Sequence, residues 1–351
     1  MSNATLFLLF GGDSCEHEIS LRSAASVSEQ LTRAGYPHHA VGITRAGEWS
    51  LYTGDPRRIA DGGWETDTDS RTPILPCPHG FLFPDTGKTL DDAVVFPCLH
   101  GANGEDGRLQ GLLDLFKIPY IGCRTETSAV CMNKSLTKDL LLQYHVPMAG
   151  KVVGEVYGDG DVRRLTNRAE TRFLYPMFVK PARCGSSVGA GIARSRDECL
   201  ATIADAAKHD PTVMVERFIR GREVELAVLE RASGEPLFIS VPCEPKHRSA
   251  FYDYETKYGK RTRLCIPARL PEHTADVLTR LAERIFRILG CRHLARIDFF
   301  VGENGEVLFN EINTLPGMTE TSVFPAALAY AGYQICDWLP ALARLAKEET
   351  A

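Results

Sequence analysis

Residues 295–317 read ARIDFFVGENGEVLFNEINTLPG. Two alternating apolar runs, 296–301 and 306–313, flank Asn304-Gly305, a strong signal for a two-residue hairpin turn. With those two residues at the turn centre, Glu303 faces Glu306, Asp298 faces Glu311 and Arg296 faces Asn313. Residues two apart share a strand face, so Arg296, Asp298, Glu311 and Asn313 project the same way. Carboxylates facing each other across a sheet repel. Two readings stay open: a solvated surface hairpin, or an all-oxygen set (two carboxylates and an amide) holding a hard cation such as Mg2+.

Outward from the hairpin, the 351-residue chain is long enough for two or three domains. Its composition, 44% hydrophobic and 24% charged, is that of an ordinary soluble protein. A net charge of −5 argues against a nucleic-acid binder with a broad basic surface. The 11 cysteines are scattered singly, without C-x-x-C or zinc spacing, and read as reduced thiols of a cytoplasmic protein. The apolar run 6–10 is strand length, too short for a signal sequence or membrane span.

Residues 5–35 predict strand, glycine turn and helix, with Asp13 or Ser14 as N-cap; 54–92 predict a long irregular insertion or exposed hairpin. Boundaries are expected at 1–122, 123–215 and 216–351. In GGDSCEHE (11–18), no G-x-G-x-x-G is completed, which argues against a nicotinamide site. Glu16 there either aligns with a helix dipole or binds a substrate ammonium. His100 ends a strand just before a helix, where α/β folds place ligands. Loop 182–191 carries three glycines with Ser186 and Ser187 and follows Lys180, which suits phosphate oxygens or a plain turn. The aromatic, basic segment 251–263 reads as an exposed loop or as a lid over phosphates.

Together and in order, GGDSCEHEISL, FPCLHGANGEDGRLQG, MNK, FVKPARCGSSVG, VERFIRGREVE, FYDYETKY, ARIDFF and NEINTLPGMTETS resemble the D-alanine–D-alanine ligases of the ATP-grasp superfamily, from Leu6 to about Leu345. The resemblance implies an α/β three-domain ATP-grasp fold with a Rossmann-like N-terminal domain. It implies ATP, two Mg2+ (or Mn2+), D-alanine as substrate, a homodimer, and no nucleic-acid or membrane partner. By the same resemblance, Lys134 and Lys180 hold ATP phosphates. Glu216, Arg217, Phe218 and Ile219 line adenine, Glu223 the ribose, and Lys257 reaches the transferred phosphate. Asp298, Glu311 and Asn313 hold the metals, and Arg296 stabilises the tetrahedral intermediate. Glu16 binds the first ammonium, His100 lies beside the first carboxylate, and Ser186 and Tyr258 link to Glu16. Ser322 binds the second carboxylate, and Val323 beside it offers a D-serine hydroxyl no partner.

The chain departs from the family's usual residues at Asn133 (commonly aspartate), Arg217 (commonly lysine) and Glu320 (often histidine or small and polar). The segment 42–54 resembles the subgroup that includes D-alanine–D-serine ligases, which makes D-serine or D-lactate the alternative second substrate.

Overall fold

A computed structural model describes residues 5–246 and 263–350. In the first unit, β1 (Thr5–Gly11) is flanked by β2 (His38–Ile43) and, on its other side, β8 (Ala93–Pro97), all parallel. Strands β3 (Trp49–Tyr52) and β4 (Arg71–Pro73) extend one edge antiparallel, giving the order β4-β3-β2-β1-β8. The unbroken apolar run of β1 follows from burial on both faces of a parallel sheet. Helix α1 (His17–Arg33) makes the crossover from β1 to β2. Its N-cap is Glu16, two to three residues later than Asp13 or Ser14, because the chain first turns through Gly11 and Gly12 at φ 92 and 81°.

The segment expected to be irregular is built into the unit. It forms α2 (Arg57–Ala60), β4, and a small sheet of β5 (Leu75–Cys77), β6 (Gly80–Leu82) and β7 (Thr89–Asp91). Trp64 and Phe81, both 0% exposed, anchor it. Trp64 meets Phe10 edge-on at 5.0 Å, and Phe81 stacks on Phe7 at 5.0 Å. Two isolated aromatics between short strands give no periodic signal, so composition alone reads as loop.

After α3 (Arg108–Leu115) come α4 (Thr125–Met132) and α5 (Lys134–Gln143). The second sheet is antiparallel, ordered β11-β10-β12-β9, from β9 (Lys151–Glu155), β10 (Met177–Pro181), β11 (Gly191–Ala193) and β12 (Thr212–Arg217). Helices α6 (Asp159–Glu170) and α7 (Arg196–Ala206) share its core.

The third sheet is ordered β14-β13-β17-β18, from β13 (Gly221–Leu229), β14 (Phe238–Ile239), β17 (Leu294–Gly302) and β18 (Val307–Asn313). A two-stranded ribbon, β15 (Glu244–Lys246) with β16 (Arg263–Cys265), lies beside it. Its core takes α8 (Glu272–Ile288) and also Cys131 and Leu141 of α4 and α5. Of the last helices, α9 (Val323–Tyr330) packs on β13 and α10 (Ile335–Glu348) on β8 and α1, with Phe324, Leu339 and Leu342 in one cluster with Leu6, Leu8 and Phe96.

The hairpin differs from its expected form in two places. The connection has three residues, with Gly302 N–H donating to Glu306 at 2.9 Å and Gly305 at φ 81°, so Val301 faces Val307. A bulge then inserts Asn310, which restores Asp298 opposite Glu311 and Arg296 opposite Asn313. All 11 cysteines are free thiols. Among the described residues, no helix is long and apolar enough to cross a membrane.

Candidate active site

The second and third sheets enclose a cavity of about 660 Å³. Lys180 enters from β10, loop 184–190 covers one side, and residues 216–223 cross between the sheets; Asn310 and Glu311 close the far end. The bulge explains why both Asn310 and Glu311 reach it, since an unbulged strand would send neighbours to opposite faces.

Glu216 is buried against two lysines. Its Oε2 lies 2.9 Å from Lys180 Nζ, and its Oε1 pairs with Lys138 Nζ from α5. Burial alone would raise the Glu216 carboxyl, but the two ammoniums hold it down at about 2. Burial pulls Lys138 down to about 8 against the attraction of Glu216. Burial opposes the Lys180 ammonium too, yet Glu216 and Glu311 outweigh it and raise the pKa. Arg217, Phe218 and Ile219 continue along the cavity, with Arg217 exposed and 3.4 Å from Glu306. Glu223 lines the same wall.

Beyond Glu311, three carboxylates stand in register across three strands: Glu225, Asp298 and Glu311. Arg296, 8% exposed, compensates them. Its Nε and Nη2 donate to Asp298 at 2.8 and 2.7 Å, and its Nε lies 2.8 Å from Glu225. Burial disfavours the guanidinium, but Asp298 and Glu225 hold it firmly protonated. Asn313 Nδ2 donates to Asp298 at 3.1 Å, and Lys134 Nζ is 3.6 Å from Glu311. Lys134 also donates to the Cys184 carbonyl at 2.8 Å, tying α5 to the glycine loop. The donors suit a hard divalent cation, because all are oxygens and Glu311 opens to the cavity.

Glu16 is 5% exposed and accepts a hydrogen bond on Oε1 from Ser186 Oγ. Its Oε2 has no hydrogen-bond partner among the described residues. Gly101 and Gly185 crowd that oxygen so closely that a Cβ on either would lie 2.6 or 2.5 Å from it. Ser186 and Ser187 sit at φ 50 and 59°, a left-handed backbone uncommon for serine.

His100 spends both ring nitrogens on the protein. Nδ1 meets the Leu315 carbonyl at 3.0 Å and therefore carries the proton; Nε2 meets Ser23 Oγ at 3.0 Å. Ser23 Oγ in turn accepts from Met318 N–H at 3.1 Å. Burial lowers the His100 pKa, so the ring is neutral. It thus joins the first unit to the loop after β18. Glu105 does the same from α3's approach, accepting from Gly101 N–H at 2.7 Å and Leu315 N–H at 3.3 Å. Burial, with Glu16 nearby, pushes its carboxyl up to about 8.

Ser322 is the N-cap of α9, its Oγ 2.7 Å from Thr319 Oγ1. Val323 is only 7% exposed and belongs to the first core. The β-branched residue at a helix's first turn points inward here. Glu320 is exposed. Lys257 and Tyr258 lie outside the described residues.

Residues 5–123 match the family model described as D-ala D-ala ligase N-terminus, and 158–343 that described as D-ala D-ala ligase C-terminus. The chain is 38% identical to the D-alanine–D-alanine ligase of Caldicellulosiruptor bescii, over 99% of this chain and 96% of that one. It is 40% identical to the ligase of the same name from Chlorobaculum tepidum, over 99% and 98%. Among solved structures it resembles the VanG D-Ala:D-Ser ligase of Enterococcus faecalis (TM-score 0.87, 34% identity, 98% of this chain and 100% of that one). It also resembles the D-alanine–D-alanine ligase of Coxiella burnetii (TM-score 0.82, 32%, 99% and 96%).

The chain belongs to the D-alanine–D-alanine ligase family. It is an enzyme of that ATP-dependent ligase family and has its ATP-grasp fold. Within this ligase, Lys138, Glu225, Asn310 and Glu105 are the site-region residues that sequence reasoning missed. Asn310, Glu105 and Glu225 fall inside motifs already quoted, whereas Lys138, the buried partner of Glu216, has no local signature.

Proposed function

We propose that this ligase joins two D-alanines into D-alanyl-D-alanine for peptidoglycan precursor synthesis, acting in the cytoplasm as a homodimer. The observation that supports this reading is the path of charge along one cleft. Lys134 and Lys180 face the cavity, Glu311 closes it with Asp298 next to it in register, and Glu16 offers an unpartnered buried oxygen beyond.

In this reading ATP lies between the sheets, its adenine beside Glu216, Arg217, Phe218 and Ile219 and its ribose at Glu223. Its phosphates lie against Lys134, Lys180 and Lys257. Asp298, Glu311 and Asn313 would hold two Mg2+ ions, which neutralise charge on the transferred phosphoryl group. Glu16 Oε2 receives the ammonium of the first D-alanine, and Ser186 with Tyr258 fixes Glu16. His100 shapes that subsite through Leu315 and Ser23 rather than by donating a ring proton. An oxygen of the first carboxylate attacks the γ-phosphorus of ATP, the bond to the β-phosphate oxygen breaks, and ADP leaves behind an acylphosphate. The amine of the second D-alanine, its carboxylate at Ser322 on the N-terminus of α9, attacks the acyl carbon and expels phosphate. Arg296 stabilises the oxyanion. The three units (1–122, 123–215 and 216–351) are the bodies between which the cleft lies.

The likeness to VanG keeps D-serine as a second reading for the incoming amine. The apolar Val323 beside Ser322 offers a D-serine hydroxyl no partner, and the identities of 38 and 40% to D-alanine–D-alanine ligases also favour D-alanine. Competition at pH 7.5 with ATP, Mg2+ and equal D-alanine, D-serine and D-lactate, with products resolved by mass, decides it. D-alanyl-D-alanine as the main product is expected; mostly D-alanyl-D-serine would replace this reading with the second. Analytical ultracentrifugation showing only monomer would remove the homodimer.

A further inference from the structure

Lys138 is the most deeply buried cation near the cavity, its side chain 1% exposed. It sits on the inward face of α5 with Ser135, Thr137 and Leu141, and takes no part in lining the cavity. A buried ammonium is costly unless paired, so its place needs a reason. Its partner Glu216, 5% exposed, gives one oxygen to Lys138 and the other to Lys180. Lys180 does line the cavity, and also meets Asn310 Oδ1 at 3.3 Å.

Glu216 therefore carries two ammoniums, one positive charge more than it neutralises, in a cavity where Glu311 and Glu223 also attract Lys180. Of the two lysines, Lys180 is the one that reaches the cavity. Were Lys138 absent, Glu216 would neutralise Lys180, and the second sheet would present no net charge at that point. Resting on the reading of this cavity as the ATP site, we propose that Lys138 is a positioning residue that saturates Glu216 and so keeps the charge of Lys180 available to the ATP phosphates.

The charge count makes the proposal testable by rescue. Lys138→Met leaves a neutral Glu216–Lys180 pair. Lys138→Met with Glu216→Gln restores the surplus charge, because the carboxylate leaves with its ammonium. Calorimetry on the full chain with Mg2+ measures binding of the non-hydrolysable analogue AMP-PNP and, separately, of adenosine. Lys138→Met is expected to weaken AMP-PNP at least ~10-fold, since loss of effective charge in a buried site is costly. Adenosine affinity stays as in wild type in Lys138→Met; in the double variant, which also alters the adenine wall at Glu216, the ratio of AMP-PNP to adenosine affinity returns to within about threefold of wild type, roughly half of the tenfold step that 1.4 kcal/mol measures. Equal weakening of both ligands, no weakening in Lys138→Met, or no rescue overturns the proposal. If the single variant does not fold, the double variant decides by the same ratio: a near-wild-type ratio of AMP-PNP to adenosine affinity supports the proposal and a lowered ratio overturns it. Failure of the wild-type enzyme to bind AMP-PNP would instead remove the ATP assignment itself.

Discussion

Arg296 and Asp298, two residues apart on β17, are joined by two hydrogen bonds of 2.8 and 2.7 Å. The pair lies in the middle of a carboxylate row, so Arg296 is both the counter-charge of the protein alone and the proposed oxyanion donor. Asp298→Asn or Glu311→Gln is expected to lower turnover by at least ~100-fold, as loss of electrostatic stabilisation at a reacting centre does. Steady-state rates at saturating Mg2+ check this; near-normal rates in both variants would remove the metal assignment.

Gly185 tests the first amino-acid subsite by shape. A Cβ there would lie 2.5 Å from Glu16 Oε2, and Gly185 needs no left-handed backbone. Gly185→Ala should therefore displace Glu16 and raise the KM for D-alanine at the first site by roughly 5- to 150-fold, the range of a 1–3 kcal/mol overpacking cost. Gly160→Ala, in open space on α6, should change nothing. Equal KM values for the two variants would show that Glu16 does not receive the substrate.

The base of the glycine loop carries a pH-dependent clamp. Burial would raise the Asp210 carboxyl, but Arg183, at 2.6 Å, and the Thr212 N–H hold it below its ordinary value of 3.8. In that range the unfolded chain binds more protons than the folded one, so this stabilisation is full above pH 3.8 and disappears as pH falls through the depressed value. Urea midpoints at pH 5 and pH 3 should differ more for wild type than for Asp210→Asn. Parallel shifts in both proteins would count against the clamp.

Trp64 tests whether segment 54–92 belongs to the core. It is 0% exposed, edge-on to Phe10 and 5.3 Å from the Arg71 guanidinium. Trp64→Ala should cost about 3–5 kcal/mol, the usual result of emptying a large aromatic site. A loss below about 1 kcal/mol in urea unfolding, typical of surface changes, would return the segment to loop status.

Alternation and glycine placement made the strands, the hairpin and most of the cleft legible. The facing of Asp298 and Glu311 was legible for an instructive reason: the extra turn residue and the Asn310 bulge cancel, so a wrong turn led to a right register near the site. Neither irregularity has a local sequence mark, because a bulge answers to packing on both sides. What stayed hidden depends on distance along the chain. Glu16 meets Ser186 170 residues away, and Lys138 meets Glu216 78 residues away. No periodicity encodes such pairs; motifs suggested the first, and nothing suggested the second.

The packing of α10 on the first sheet sets a schedule for biosynthesis. Leu6, Leu8 and Phe96 share their cluster with Phe324, Trp338 and Leu342. That apolar face cannot be sealed until the chain through Leu342 has been translated, 334 residues after Leu8. At roughly 5–20 residues per second, the nascent chain carries the open face for tens of seconds. A truncated product ending before α9 should consequently be sticky rather than partly active, and a chaperone that shields the emerging first sheet should raise the yield of soluble enzyme.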